Sequence, residues 1–394
     1  MTPQKNEAGI NQDLSQNGCM VVIADDFTGA AELAGISLQY GLSIALFLTP
    51  VAGPVADVVI ICTNSRSMDK KAAQTATAET LKAVLLWKPY FIYKKIDSVF
   101  RGHVLDELKT QLEETGQDKA LIVAANPSLG RTIDDGKYFI DGKKISETGF
   151  AADPEFPVHD SSVLKMLRSS GGLQIKKPAD HLHGTGMILG EAVSAEDITA
   201  WAAKVDTGWA LAGAGDFFTA LLDKKFQRGP GQEANTVLPH LFVSGTTYDK
   251  SRAQIAQFAG LGYVAYLPAL MLQNGKAVKE EWLGQACGIL QKHNRAVIAI
   301  EASAKQFNLS ATDICTIMAK AVKAILQRHA VKELFIEGGA TAAAILEELG
   351  ITKLLAVHEL QRGVVRMQAG DLLITVKPGS YALPQQIKEL YSSS

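Results

Sequence analysis

Residues 20–30 read MVVIADDFTGA. The apolar run 20–24 makes a short buried strand, the acids Asp25 and Asp26 end it, and a helix is expected from about Ala30 to Tyr40. A strand apolar throughout, rather than on alternate residues, marks a parallel sheet covered on both faces. In such open sheets ligands bind outside the carboxyl ends of the strands. Two adjacent acids at that position repel an anion. They make sense if they hold a cation or accept hydroxyl protons, whereas an Asp or Thr28 serving only as a helix cap is the plainer reading.

Outward from this stretch the same unit recurs. Strands are expected at 43–48, 57–61, 90–94 and 120–125, with helices at 69–87 and 102–115. Residues 136–146 read as a hairpin about Asp141-Gly142. Residues 182–190 form a Gly-rich stretch, and 209–213 another strand. The segment 223–236, DKKFQRGPGQEANT, is polar and lacks periodicity, so it is read as a linker. The alternation then restarts: strands at 239–243, 263–267, 296–301 and 333–337, helices at 249–260, 312–329 and 341–349, and closing strands near 354–360 and 371–376. The expected fold class is α/β in two domains, each a largely parallel sheet flanked by helices, with an active-site cleft between them.

Composition narrows the function. With 39 Lys plus Arg against 41 Asp plus Glu, the chain lacks the basic surplus of a nucleic-acid-coating protein. Its 47% hydrophobic content excludes disorder over most of its length. Cys19, Cys62, Cys287 and Cys315 form no CxxC pair, which suits a reduced, cytoplasmic setting. Residues 1–17 are polar and read as a loose tail, and no apolar run is long enough to span a membrane.

Further strand ends carry ligand-competent loops. TNSR (63–66) follows the third strand, and Arg66 can grip a carboxylate with two parallel bonds. KKIDSVFRG (94–102) crowds lysines, an acid, a serine and an arginine into nine residues, and NPSLGR (126–131) follows the next strand. In the second half, Ser244-Gly245-Thr246-Thr247, Gly338-Gly339-Ala340-Thr341 and Lys377-Pro378-Gly379-Ser380 sit at strand ends, where backbone N–H groups can face a phosphate. No Walker A loop, GxSxG elbow or GxGxxG fingerprint is present. His181-Leu182-His183 is read as a polar loop rather than a metal pair. A non-catalytic binding or sensor protein would use the first-half loops alone. An oxidoreductase or ligase would need the missing dinucleotide fingerprint.

In these motifs, in this order, the chain resembles the four-carbon acid sugar kinase family, which includes D-threonate, D-erythronate and 3-oxo-tetronate kinases. The motifs are ADDFTGA (24–30), TNSR, KKIDSVFRG, NPSLGR, SGTT (244–247), GGAT (338–341) and KPGS (377–380). The resemblance implies a sugar-acid-binding domain over 18–230 and a nucleotide-binding domain over 237–394. It implies substrate contacts from Asp25, Asp26, Arg66, Lys95, Ile96, Asp97 and Ser98, and nucleotide contacts from Ser244, Gly338, Gly339, Ala340, Thr341 and Gly379. ATP with Mg²⁺ is the implied phosphoryl donor, and D-threonate, converted to its 4-phosphate, the leading substrate. A homodimer is left open, and no nucleic-acid or membrane partner is expected. Asp26 and Asp97 are the two candidates for the base that takes the hydroxyl proton. Lys94 and Lys95, beside Asp97 in sequence, would keep it ionised and tilt the choice toward it.

Overall fold

The computed structural model describes residues 18–152, 157–169, 171–182, 184–206, 208–230, 234–245, 249–267, 280–301, 310–379 and 381–392. The expected loose tail lies outside these residues. The chain divides into two compact units, Met1–Pro230 and Gly231–Ser394.

The first unit contains β1 (Met20–Ala24), β2 (Ile44–Phe47), β3 (Val58–Cys62), β4 (Phe91–Lys95), β5 (Lys119–Val123), β6 (Arg131–Asp134), β7 (Lys137–Ile140), β8 (Lys143–Lys144), β9 (Leu173–Lys176), β10 (Gly186–Gly190) and β11 (Ala210–Gly213). Eight of these pair in parallel, in the order β2-β3-β1-β4-β11-β5-β10-β9. All five residues of β1 are buried, as a strand covered on both faces requires. After β1 the chain builds β2 and β3 on one side and then crosses to β4 on the other. The topological switch point, where open sheets bind ligands, therefore lies beside β1.

Three local readings need correcting. The first helix is Phe27–Leu38, starting before Ala30, because Asp26 is its N-cap and accepts a hydrogen bond from the Gly29 N–H at 2.9 Å. The Gly-rich stretch 182–190 contains strand β10, with Gly190 pressed so closely on Trp201 that a Cβ would lie 2.7 Å from the ring. The hairpin about Asp141-Gly142 is present, but it is the second half of a three-stranded antiparallel sheet, β6-β7-β8. Its first turn is another Asp-Gly, Asp135-Gly136, with both residues left-handed (φ 47 and 68).

The second unit contains β12 (His240–Ser244), β13 (Val264–Leu267), β14 (Arg295–Ile300), β15 (Glu333–Glu337), β16 (Lys353–Gln361), β17 (Val364–Ala369) and β18 (Leu372–Lys377). The order is β13-β14-β12-β15-β18-β17-β16, parallel as far as β18 and antiparallel beyond. Strand β17 was not expected: left-handed Gly363 and Gly370 turn the chain so tightly that three strands fit where two were read. Phe242, Phe258, Phe335 and Tyr391 share its core. Tyr391 comes from the C-terminal helix Gln385–Ser392; its hydroxyl donates to the Ala296 carbonyl at 2.9 Å and lies 2.8 Å from His240 Nδ1. No helix among the described residues is long and apolar enough to cross a membrane.

Candidate active site

The turns after β1, β3 and β4 converge at the switch point. Arg66 is the hub. Its Nε and Nη2 bond the two oxygens of Asp25 at 2.9 and 3.1 Å, its Nη2 also lies 2.8 Å from Asp26, and its Nη1 lies 3.6 Å from Asp97. Asp26 is thus cap and ion-pair partner at once, and its second oxygen accepts from the Thr28 hydroxyl at 2.5 Å. Asp97 is held more completely. Both its oxygens accept from the Arg101 side chain at 2.9 Å, and one also accepts the backbone N–H groups of Val99 and Arg101. Among the three acids, Asp26 has the most exposed side chain, 16% against 6% for Asp25 and 7% for Asp97. Two of the turns carry backbone strain: Asn64 (φ 49) after β3 and Phe100 (φ 63) after β4 are left-handed without being glycine.

This clustering sets the protonation of the acids. Burial works to raise the Asp97 carboxyl, but the Arg66 and Arg101 guanidiniums overcome it and hold the group well below the usual carboxylate range. Asp26 is likewise lowered, by Arg66 and Lys95 against burial. Asp25 goes the other way, because burial outweighs Arg66. The sequence-based reason for keeping Asp97 ionised is therefore corrected. Lys94 is turned away into a buried ion pair with Glu107, and Lys95 faces Glu32 at 3.3 Å. Arg101, four residues past Asp97, supplies the charge, a residue the sequence placed in the motif without assigning it a role.

The remaining expected substrate contacts lie in the same loop. Ile96 is buried, and its carbonyl accepts from Lys95 Nζ at 3.0 Å. Ser98 accepts from Arg131, which joins the NPSLGR turn to the site. Beneath them Glu107 ties the loops together: it takes the Ser65 hydroxyl at 2.9 Å, and Ser65 meets Thr63 at 2.9 Å. Beside the cluster opens a cavity of about 590 Å³, lined in part by Arg66, Arg101 and His103.

In the second unit the loops after β12, β15 and β18 form another group. Gly338 (φ 105) precedes the helix Gly339–Glu348, which has no side-chain cap, so its first N–H groups are open to a ligand. Gly339 and Ala340 make its first turn, and Thr341 is buried in it. Gly245 approaches Thr341 so closely that a Cβ would fall 2.2 Å from Oγ1. Ser244 donates to Glu337 at 2.7 Å, and Glu337 also pairs with Lys377 at 2.7 Å. Lys377 spans to the Gly379 carbonyl at 3.5 Å, and burial lowers its pKa against the pull of Glu337. This buried Glu337–Lys377 pair went unassigned in the sequence, although Glu337 precedes the GGAT motif and Lys377 opens the KPGS motif. Thr246, Thr247, Ser380 and His183 lie outside the described residues. No group of three or more His, Cys, Asp or Glu among the described residues could hold a metal ion.

The comparisons with known proteins follow the same division. Residues 20–217 match a family described as a sugar-binding N-terminal domain, and residues 241–381 one described as a nucleotide-binding C-terminal domain. The chain is 28% identical over 382 residues to the D-threonate kinase of Salmonella typhimurium, covering 91% of this chain and 85% of that one. It is 27% identical to the 3-oxo-tetronate kinase of Pseudomonas fluorescens, covering 92% of this chain and 94% of that one. Over 154 residues it is 35% identical to the D-erythronate kinase of Heliobacterium modesticaldum, covering 38% and 35% of the two chains. A crystal structure of a Haemophilus influenzae protein shares the fold, with a TM-score of 0.73 at 19% identity over 94% of this chain and 99% of that one. A sugar-binding domain whose strand-end charges are already assembled, followed by a nucleotide-binding domain with an uncapped helix, places the chain in the four-carbon acid sugar kinase family, a family of ATP-dependent phosphotransferases.

Proposed function

We propose that the chain transfers the terminal phosphoryl group of ATP to a hydroxyl of a four-carbon sugar acid, with D-threonate, giving its 4-phosphate, as the favoured substrate. The observation that carries this reading is the convergence of Asp25, Asp26, Arg66 and Asp97 at the switch point of the first unit's sheet. Carboxylates there suit a polyol, since each can accept from a hydroxyl. The kinship with D-threonate kinase over most of both chains supports the choice of acid.

Phosphoryl transfer asks for positioning and charge neutralisation more than for covalent chemistry. Asp26 is the better placed of the two candidate bases. Its Thr28-bonded oxygen accepts one hydrogen bond where one oxygen of Asp97 accepts three, and its side chain is the more open. Asp97, locked by Arg101, positions the KKIDSVFRG loop and orients hydroxyls. Arg66 spaces the three acids and holds Asp26 and Asp97 ionised against burial. In the second unit, Ser244, Gly338, Gly339, Ala340, Thr341 and Gly379 form the nucleotide contacts, and the uncapped helix start suits phosphate oxygens. Mg²⁺ characteristically binds phosphates with one or two carboxylates. The described residues fit an ion carried by the nucleotide, since none of their clusters would hold it alone.

An ADP-release assay across threonates, erythronates and their 3-oxo relatives tests the reading. Turnover with one or more of these acids is expected, and release fastest with D-threonate would support the favoured substrate. Tight binding of an acid with no ADP release would return the protein to the sensor class.

A further inference from the structure

We infer that Lys377 and Glu337 are positioning residues of the nucleotide site: Lys377 meets no phosphate itself but draws in the Pro378 and Tyr381 carbonyls, which faces the Gly379 N–H outward, and Glu337 locks the ammonium in place. The inference rests on the kinase reading above, in which Ser244 and Gly379 contact the nucleotide. The argument starts from register. Across the parallel strands β12, β15 and β18, Ser244 pairs with Glu337 and Glu337 with Lys377. Each is the last residue of its strand. Residues in register on neighbouring strands point to the same face, so the three form one row along the strand ends. All three are buried.

A lysine at a strand end, just before a Pro-Gly-Ser turn, has an obvious reading as the cation that meets a phosphate. Its contacts argue otherwise. An ammonium has three N–H donors. Those of Lys377 have three near acceptors: Glu337 at 2.7 Å, the Pro378 carbonyl at 2.9 Å and the Tyr381 carbonyl at 2.6 Å. With the side chain only 1% exposed, no proton is left for a ligand. What the ammonium does instead is orient a peptide. In a trans peptide the C=O and N–H point in opposite directions. With the Pro378 carbonyl turned in to Lys377, the Gly379 N–H is turned away from it, and it meets no acceptor among the described residues. Glu337 fixes where the ammonium sits. One of its oxygens accepts the Ser244 hydroxyl at 2.7 Å, and the oxygen that Lys377 meets also accepts from Ser251, on the helix Asp249–Gly260. The Gly338 N–H donates to the Lys377 carbonyl at 2.9 Å, which holds the GGAT turn against the same strand end. One buried ion pair thus reaches all three loops assigned to the nucleotide.

Two variants test this, with ATP affinity read by calorimetry and stability by thermal unfolding. Glu337→Gln leaves the Lys377 ammonium buried without its counter-charge. Its melting temperature should fall and its Kd for ATP should rise tenfold or more, with the KM for the four-carbon acid within twofold of wild type. The double variant Glu337→Gln, Lys377→Met has no buried charge at this site, so its melting temperature should recover most of the loss. Its Kd for ATP should stay at least tenfold above wild type, because nothing draws the Pro378 carbonyl in. Recovery of ATP affinity together with the melting temperature overturns the inference, by making the pair structural only. A Kd for ATP below wild type in Glu337→Gln also overturns it, since the freed ammonium would then reach the phosphates. So does a higher Mg²⁺ concentration for half-maximal rate in Glu337→Gln at saturating ATP, which would make Glu337 an ion ligand. Where Glu337→Gln does not fold, the double variant alone decides. If the wild-type chain binds no ATP, the kinase reading fails first and the inference falls with it.

Discussion

The two units solve the same topological problem with different materials. In the first, the switch point is filled with side-chain charge: three aspartates and two arginines knitted by bonds of about 3 Å. In the second, the corresponding strand ends are built from backbone. Gly245 and Gly338 bring the chain close, and an uncapped helix presents N–H groups, with the Glu337–Lys377 pair beneath. A small polyol acid offers hydroxyls that must be sorted one by one, which takes directional side chains. A triphosphate offers many equivalent oxygens, which backbone donors satisfy. The first site is therefore vulnerable to loss of charge and the second to loss of space.

Acid should separate the two units most strongly. Burial lowers His240, in the second unit, from 6.5 to about 4. A histidine kept neutral on folding contributes stability above the unfolded value, and loses it as pH falls from 6.5 through 4. The gap corresponds to about 3 kcal/mol. In the first unit Asp26 and Asp97 are lowered, so their contribution is present above the ordinary aspartate value of 3.8 and is lost only as pH falls below it. Asp25, raised, works in the opposite sense. Urea unfolding read by a probe within residues 231–394 should show a midpoint falling between pH 6.5 and 4, and His240→Gln should flatten that slope. An equal slope in the variant would remove His240 as the cause.

The base comes next. Asp26→Asn keeps shape and cap geometry but cannot take a proton, so single-turnover chemistry at saturating ATP should slow by about a hundredfold. Asp97→Asn should act mainly on the KM for the acid. The reverse pattern would move the base to Asp97, and near-normal chemistry in both would leave positioning alone to carry the reaction. A smaller effect tests the backbone site: Gly245→Ala sets a Cβ against Thr341 and should weaken ATP about tenfold, roughly 1.4 kcal/mol, without altering affinity for the acid. Unchanged ATP binding would show that this close approach is packing only.

Much of this was legible before any coordinates, for a physical reason. Parallel strands buried on both faces are continuous apolar runs, and β1, β3, β5, β12 and β15 stand out as such. The polar turns at their ends could be no part of a core. What stayed hidden was set by tertiary contact. Strand β10 was masked by its glycines, of which Gly190 is needed against Trp201, and β17 by turns too tight to read as breaks. The partners of charged residues were equally illegible. Lys94 sits three residues from Asp97 yet pairs with Glu107 of the next helix, because alternate residues of a strand point to opposite faces. Arg66, read as a substrate clamp, spends its fork on Asp25, a residue 41 positions earlier.

The central claim is the division of labour, acid on side-chain charge and nucleotide on backbone, and Arg66 tests it most directly. Arg66→Lys keeps the charge but loses the two-pronged bond to Asp25. Both KM values of this variant, taken in one steady-state experiment, should diverge: a rise of tenfold or more for the four-carbon acid, and a value for ATP within twofold of wild type. Equal rises for both substrates would contradict the account.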